Sequence, residues 1–457
     1  MNPFENTLKQ LKSHFDSGLT RPLSWRLNQL QQLQRFLTEN EKSLLQALKS
    51  DLNKHPSEAR LTELQFLQSD IKQTIKALPK WSKPRKVSNP LLAWPAKSQL
   101  VPEPLGAVLI LGAWNYPLQL LLAPLIAAIA AGNCAVIKPS EHATATADLL
   151  AHQLPDYLDN AAIKLVTGSV TESQQLTALP FDHIFYTGGE NAAKAIMASA
   201  AENLTPVTLE LGGKSPAVVL ADAPIQVAAR RIIWGKFLNA GQTCIAPDYV
   251  LVEDSVKEPL IAAMQHELIS FYDEDPQHSS DYGRIIHQQH WQRLTQMLEG
   301  ENVVVGGDSD KSERYIAPTI VDGVKDGSAL MQEEIFGPIL PVITIKSAAD
   351  AIEEIRRHPK PLALYVFSNN QRLLDLFTQQ VSAGNVCYND TLMFMLNDEL
   401  PFGGVGRSGM GRYHGKWGFD TFSHLKPVMT RSFRFDVALR YPPYSKLKDK
   451  ILSWFSH

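Results

Sequence analysis

The sequence predicts an α/β protein made of two parallel-sheet blocks with helices on both faces. Three observations carry this. From Leu105 onward, short runs such as GAVLILGAW, CAVIKPS and DHIFYTGG alternate with helical patterns, the order that winds a parallel sheet. The chain has 457 residues, more than one ordinary domain of roughly 150. Hydrophobic residues make up 44% and charged residues 20%, enough for a sizeable core.

Residues 1 to about 80 read as helices, because SWRLNQLQQLQRFLTENEKSLLQALKSDLNK repeats Leu at three- and four-residue steps. Prolines at 79, 84, 90, 95, 102 and 104 then exclude helix and favour an ordered extended excursion. GAVLILGAW is a buried strand. LQLLLAPLIAAIAA (118–131) is a buried helix, short of the ~20 residues that span a bilayer. CAVIKPS, AIKLVTG and DHIFYTGG are strands, each followed by a helix. A second block begins near VTLELGGKSPAVVL and runs to about 408, with YVLVED, ENVVVGG, ILPVITI and ALYVFS as strands. SHLKPVMTRSFRFD (423–436) is extended again. YSKLKDKILSWFSH is an amphipathic helix, with Leu447, Ile451, Leu452, Trp454 and Phe455 on one face and Lys446, Lys448 and Lys450 nearby.

Composition excludes several classes. A net charge of -3 gives no basic field for nucleic acid. Three cysteines form no disulfide framework and stand at no metal-ligand spacing, which suits a reducing, cytoplasmic setting and no metal. MNPFENTLKQLKSHF has no apolar core of a signal peptide.

Cys244, in FLNAGQTCIAPDYV, has two readings: a buried spectator or a nucleophile. Gly241 would let another group approach the backbone closely. A nucleophilic thiol needs a base and an oxyanion donor. Glu210 in LELGGKSP and Asn115 in GAWNYP both follow predicted strands, but spacing does not show that they meet. No G-x-G-x-x-G follows a strand. FYTGGENAA, with Gly188 and Gly189 before a helix, is either a turn or a phosphate-facing helix start.

LELGGKSP (209–216), GQTC (241–244), EEIFGP (333–338) and PFGGVGRSGMG (401–411), with GAWNYP and VIKPSE, resemble the aldehyde dehydrogenase superfamily in order and spacing along nearly the whole chain. The WNYP and YTGG forms, the short N-terminus and YHGKWGFDTFSH resemble its class 3 branch, which includes fatty- and aromatic-aldehyde dehydrogenases and coniferyl-aldehyde-type bacterial enzymes.

The resemblance implies a Rossmann-like NAD(P)-binding domain (1–80 and 104–209), an α/β catalytic domain (210–408), a small β oligomerisation arm (81–103 and 423–436) that joins a homodimer, and a C-terminal tail (437–457). It implies oxidation of medium- or long-chain aliphatic or aromatic aldehydes to acids through a cysteine thiohemiacetal and thioester. Cys244 would be the nucleophile, Asn115 the oxyanion donor and Glu210 the base. Lys138 and Glu334 would hold cofactor riboses, Glu141 the adenine-ribose hydroxyls, Gly188 and Gly189 the phosphate turn, and Phe336 would pack near the nicotinamide. NAD is the implied cofactor, with NADP left open. Tyr116, Trp234 and Phe402 would line the aldehyde tunnel or, equally, be core.

Two departures stand out. Gly188-Gly189-Glu190 replaces the family's Gly-Ser-Thr, losing a hydroxyl contact and placing a carboxylate that would repel phosphate. Ala192 or Ala193 replaces a later glycine. The tail packs over the tunnel mouth or lies on a membrane surface. A coenzyme A-acylating enzyme, which generally lacks the Glu210 base, and a non-catalytic aldehyde-binding homologue are the alternatives.

Overall fold

The computed structural model describes residues 2–90, 93–324, 327–434, 436 and 438–454. Helices Glu5–Asp16, Leu23–Glu39, Glu41–Leu52 and Phe66–Trp81 open the chain. Their leucine stripes are the buried face: Leu30, Leu33, Leu37, Leu44 and Leu48 have no solvent exposure. Pro79 lies inside the last turn of Phe66–Trp81, against the expectation that this proline excludes helix. Pro79 has no N–H to give the carbonyl four residues back, a loss confined to the final turn, and the chain becomes extended only after Trp81.

A six-stranded sheet has the order Gly409–Met410, Val207–Glu210, His183–Thr187, Ala107–Leu111, Cys134–Lys138, Ile163–Leu165. All neighbours are parallel except the first pair. The helix Gln119–Ala131 is apolar all round, and every residue in it is buried. It lies against the sheet and the N-terminal helices.

A seven-stranded sheet has the order Val303–Val305, Thr319–Asp322, Ile339–Ile345, Tyr249–Glu253, Pro216–Val219, Ala363–Phe367, Asn385–Tyr388. The stretch VTLELGGKSPAVVL, expected to open the second block, is shared between the sheets. Val207–Glu210 belongs to the first and Pro216–Val219 to the second. A glycine pair at 212–213 makes the crossing, and Glu210 is left at a strand's carboxyl end.

A three-stranded antiparallel sheet joins Arg85–Val87, Ala96–Pro104 and Ser423–Arg431. The extended segment expected over 423–436 is a strand only to Arg431; Phe435 lies outside the described residues. The tail helix spans Lys446–Trp454. Leu447 is 69% exposed, and no described tail residue lines the large apolar cavity. Phe455 and the side chains of Leu452 and Trp454 lie outside the description. Among the described residues no helix is long and apolar enough to cross a membrane.

Candidate active site

Helix Ile225–Phe237 hands the chain to Cys244 through Asn239 and Ala240, both left-handed at φ 53° and 52°. Two consecutive non-glycine residues in that region store strain. Hydrogen bonds over-determine the turn. Asn239 N donates to Glu58 Oε1 (3.0 Å), and Asn239 Nδ2 donates to the carbonyls of Asn115 (2.8 Å) and Gln242 (3.1 Å). Gly241 follows at φ +74°, and a Cβ there would stand 2.2 Å from the Gly337 carbonyl oxygen. Glycine is therefore required, and the GQTC and EEIFGP segments interlock through their backbones.

Cys244 opens onto a cavity of about 360 Å³ lined also by Glu210, Tyr116, Trp234, Phe402 and Tyr413. The walls are chiefly apolar. Glu210 is 3% exposed, and neither carboxylate oxygen has a hydrogen-bond partner among the described residues. Burial pushes its carboxyl well above the usual range. The Cys244 thiol is pushed up too, first by burial and then by the charges of Glu334 and Glu210.

Asn115 follows the strand Ala107–Leu111 and is buried; its Nδ2 donates to the Gln242 carbonyl at 3.1 Å, two residues before Cys244. Tyr116 shares a 2.7 Å hydrogen bond with Thr243 Oγ1. Cys244 and Glu210 thus share one cavity; Asn115 does not line it but is tied to the backbone two residues before Cys244.

A second concavity, a groove of about 600 Å³, runs along the carboxyl ends of strands in the six-stranded sheet. It is lined by Lys138, Glu141, Gly188, Gly189 and Trp114 among others. Lys138 is buried and its Nζ lies 3.3 Å from Glu141 Oε2. Gly189 caps the helix Glu190–Ala201 with no side chain on its first N–H groups. Glu190 does not line this groove. Arg407 grips its carboxylate through two nitrogens (3.0 and 2.8 Å), and Lys194 adds a third contact at 2.8 Å. The expected repulsion of phosphate is therefore offset.

Neither Phe336 nor Glu334 is among the residues that line the groove. Phe336 packs edge-on to Trp114 at 5.3 Å. The Glu334 carboxylate packs on Gly212, where a Cβ would come within 2.0 Å. Burial and then Asp248 push Glu334 up to about 8. A glycine-capped helix start, a buried ammonium with a carboxylate beside it, and an aromatic edge together suit a dinucleotide.

A profile described as "Aldehyde dehydrogenase family" matches residues 4–428. The 4,4'-diaponeurosporen-aldehyde dehydrogenase of Staphylococcus aureus is 46% identical over 459 residues, covering 100% of both chains. The dimeric NADP-preferring aldehyde dehydrogenase of Rattus norvegicus is 45% identical over 97% of this chain and 98% of its own. A substrate-bound structure of Staphylococcus aureus AldH superposes with a TM-score of 0.98 at 46% identity, covering 100% of both chains. The chain belongs to the aldehyde dehydrogenase family. It is an NAD(P)-dependent aldehyde dehydrogenase that oxidises aldehydes to carboxylic acids.

Sequence reasoning missed several residues that build this dehydrogenase's site. Arg407 lies inside a quoted motif, but nothing local pairs it with Glu190. Tyr413 lines the catalytic cavity with a hydroxyl that has no partner among the described residues. Lys54 and Glu63 look like two more surface charges in a charged helical region, yet both side chains are 0% exposed.

Proposed function

We propose that Cys244 is the nucleophile, Glu210 the base and Asn115 the oxyanion donor of this dehydrogenase. The observation that carries this is the shared cavity: a thiol and an unpartnered buried carboxylate open onto one apolar space beside a tethered amide. Cys244 Sγ loses its proton to solvent and adds to the aldehyde carbon. The carbonyl oxygen takes the charge, and the Asn115 amide and the Cys244 N–H hold it; removing one such donor costs about 3–4 kcal/mol of barrier. The bound dinucleotide supplies the hydride acceptor. Loss of hydride leaves an acyl thioester on Cys244. Glu210 takes a proton from water, the hydroxide oxygen attacks the acyl carbon, and the acid leaves as Glu210 returns that proton to the departing sulfur. Burial raises the proton affinity of Glu210, which suits a base in that transfer.

Lys138, Glu141, Gly188 and Gly189 form the cofactor groove in this reading, with Glu334 and Phe336 at the nicotinamide end. Glu141 favours NAD, because a 2′-phosphate would meet its carboxylate. The named NADP-preferring relative keeps NADP in the test. Tyr116, Trp234 and Phe402 supply apolar ring surface, so the substrates are medium- or long-chain aliphatic or aromatic aldehydes.

Residues 1–80 and 104–209 would bind cofactor and 210–408 carry the chemistry. Segments 81–103 and 423–436 would form the arm of a homodimer. Among the described residues the outer edge of Ser423–Arg431 in the three-stranded sheet is unpaired, the kind of edge a second copy covers. The three cysteines are free, which supports a reducing, cytoplasmic setting. The tail 437–457, with Leu447 exposed among lysines, suits peripheral membrane contact.

The test follows cofactor reduction at 340 nm for wild type and Cys244→Ala, with NAD and NADP, over acetaldehyde, decanal, benzaldehyde and cinnamaldehyde. Reduction by wild type alone, strongest with decanal or the aromatic aldehydes, supports the reading. Full activity in Cys244→Ala removes the nucleophile assignment. Product that forms only with coenzyme A makes the enzyme acylating.

A further inference from the structure

We propose that the buried Lys54–Glu63 ion pair is a positioning device that sets the oxyanion donor Asn115, an inference that rests on the reading of Asn115 given above. The pair lines neither concavity, yet it touches the turn that carries Asn115 at both ends. Lys54 Nζ lies 2.7 Å from Glu63 Oε1 and donates to the Asn115 carbonyl at 2.9 Å. The same ammonium sits 3.9 Å from the centre of the Tyr116 ring. Glu63 Oε2 accepts the N–H groups of Leu118 (2.8 Å) and Gln119 (3.3 Å), where the next helix begins. The turn 115–119 is therefore pinned by a cation at its start and a carboxylate at its end.

Asn239 closes the arrangement from the nucleophile's side. Its Nδ2 reaches the Asn115 carbonyl and the Gln242 carbonyl, and the Asn115 side chain bonds that same Gln242 carbonyl. The Asn115 backbone oxygen thus takes two donors, and its amide is hinged to the segment that carries Cys244.

The local cause is a π-helical turn over Arg60–Gln65. Such single wide turns mark functional sites. Here the turn sends Leu61 and Thr62 to the wall of the catalytic cavity and Glu63 to the buried ammonium. One irregular turn therefore serves both the substrate wall and the oxyanion donor.

Stability gives no reason to keep the pair. Desolvation offsets most of the attraction between two charges with no exposure, and apolar residues of like volume are often as stable in such places. Geometry gives a reason: misplacing a reacting group by about 1 Å can cost roughly a hundred-fold in rate.

The experiment is a double-mutant cycle on the full-length enzyme, read by single-turnover cofactor reduction with decanal. Lys54→Met/Glu63→Leu removes both charges and leaves neither alone. Expected is a fall of roughly ten- to a hundred-fold in the single-turnover rate, with the cofactor KM within about twofold of wild type. In an Asn115→Ala background the same pair of changes should cost less than about twofold, a saturation that a merely structural role would not show. Equal losses in both backgrounds, or no loss in wild type, overturn the proposal. If Asn115→Ala alone leaves the rate unchanged, the oxyanion reading fails and takes this inference with it. If Asn115→Ala is slow and the pair is silent, only the inference fails. Should the double variant not fold, Glu63→Gln, which removes the charge and keeps an acceptor, enters the same cycle.

Discussion

Glu190 and Glu210 stand 20 residues apart (210 − 190), one at the first turn of a helix beside the cofactor groove and one at a strand end in the catalytic cavity. They share a side chain and respond in opposite ways. Hydrogen bonds and charge from Arg407 and Lys194 hold Glu190 down at about 2. Burial with no partner pushes Glu210 well above the ordinary value. Ion pairing wins in the groove and desolvation wins in the cavity. A paired carboxylate at low pKa is a poor base and a useful structural charge. An unpaired one in an apolar wall keeps its proton affinity, which suits a base.

The contrast can be broken most forcefully at the cavity. Cys244→Ala should lower aldehyde-dependent cofactor reduction at least about a thousand-fold, as removal of an attacking atom does. Glu210→Gln should come next, lowering steady-state kcat by roughly a hundred- to ten-thousand-fold while a first burst of cofactor reduction remains; a lost burst would move Glu210 to the acylation step. In wild type, kcat limited by thioester hydrolysis should rise with pH through a value above the ordinary carboxylate range, and the Gln variant should lack that limb.

The sign for stability is opposite at the two sites. A raised carboxyl pKa means the folded protein loses stability as pH rises from about 4.5 through the folded value, so Glu210→Gln should raise Tm at pH 8, by roughly 1–3 °C. Thermal melts at pH 5 and pH 8 check this, and an equal shift at both would contradict the burial account. Glu190 contributes fully above its ordinary value near 4.5, and its contribution is lost as pH falls towards 2.

Smaller effects belong to the thiol and the groove. With its pKa raised, Cys244 should react with iodoacetamide faster at each step from pH 7 to 9 in cofactor-free enzyme; a flat profile would mean a thiolate already formed. Arg407→Ala should raise the cofactor KM several-fold, because it leaves Glu190 less neutralised beside the phosphate-facing helix start. The loss should shrink in high salt, since exposed charges are screened there. An unchanged KM at low salt would show that Glu190 is too far from bound phosphate to matter.

The sequence by itself determined the alternation of strands and helices, the two blocks and the motif residues, because these rest on local patterns: apolar runs, Leu spacing, glycines at strand ends. Cys244, Glu210, Asn115 and Gly188 stand in such stretches, Gly241 reads as a place of close approach, and Lys138 follows only from the family resemblance. The tertiary structure alone decided what each residue meets. It set Gly337 against Gly241, turned Glu190 to Arg407, split one continuous stretch between two sheets, and buried Lys54 with Glu63 under the Asn115 turn. A charge looks the same in sequence whether water or protein surrounds it. Desolvation and pairing depend on neighbours brought in from distant parts of the chain, and those terms fix whether a carboxylate becomes a base, an ion-pair partner or a strut.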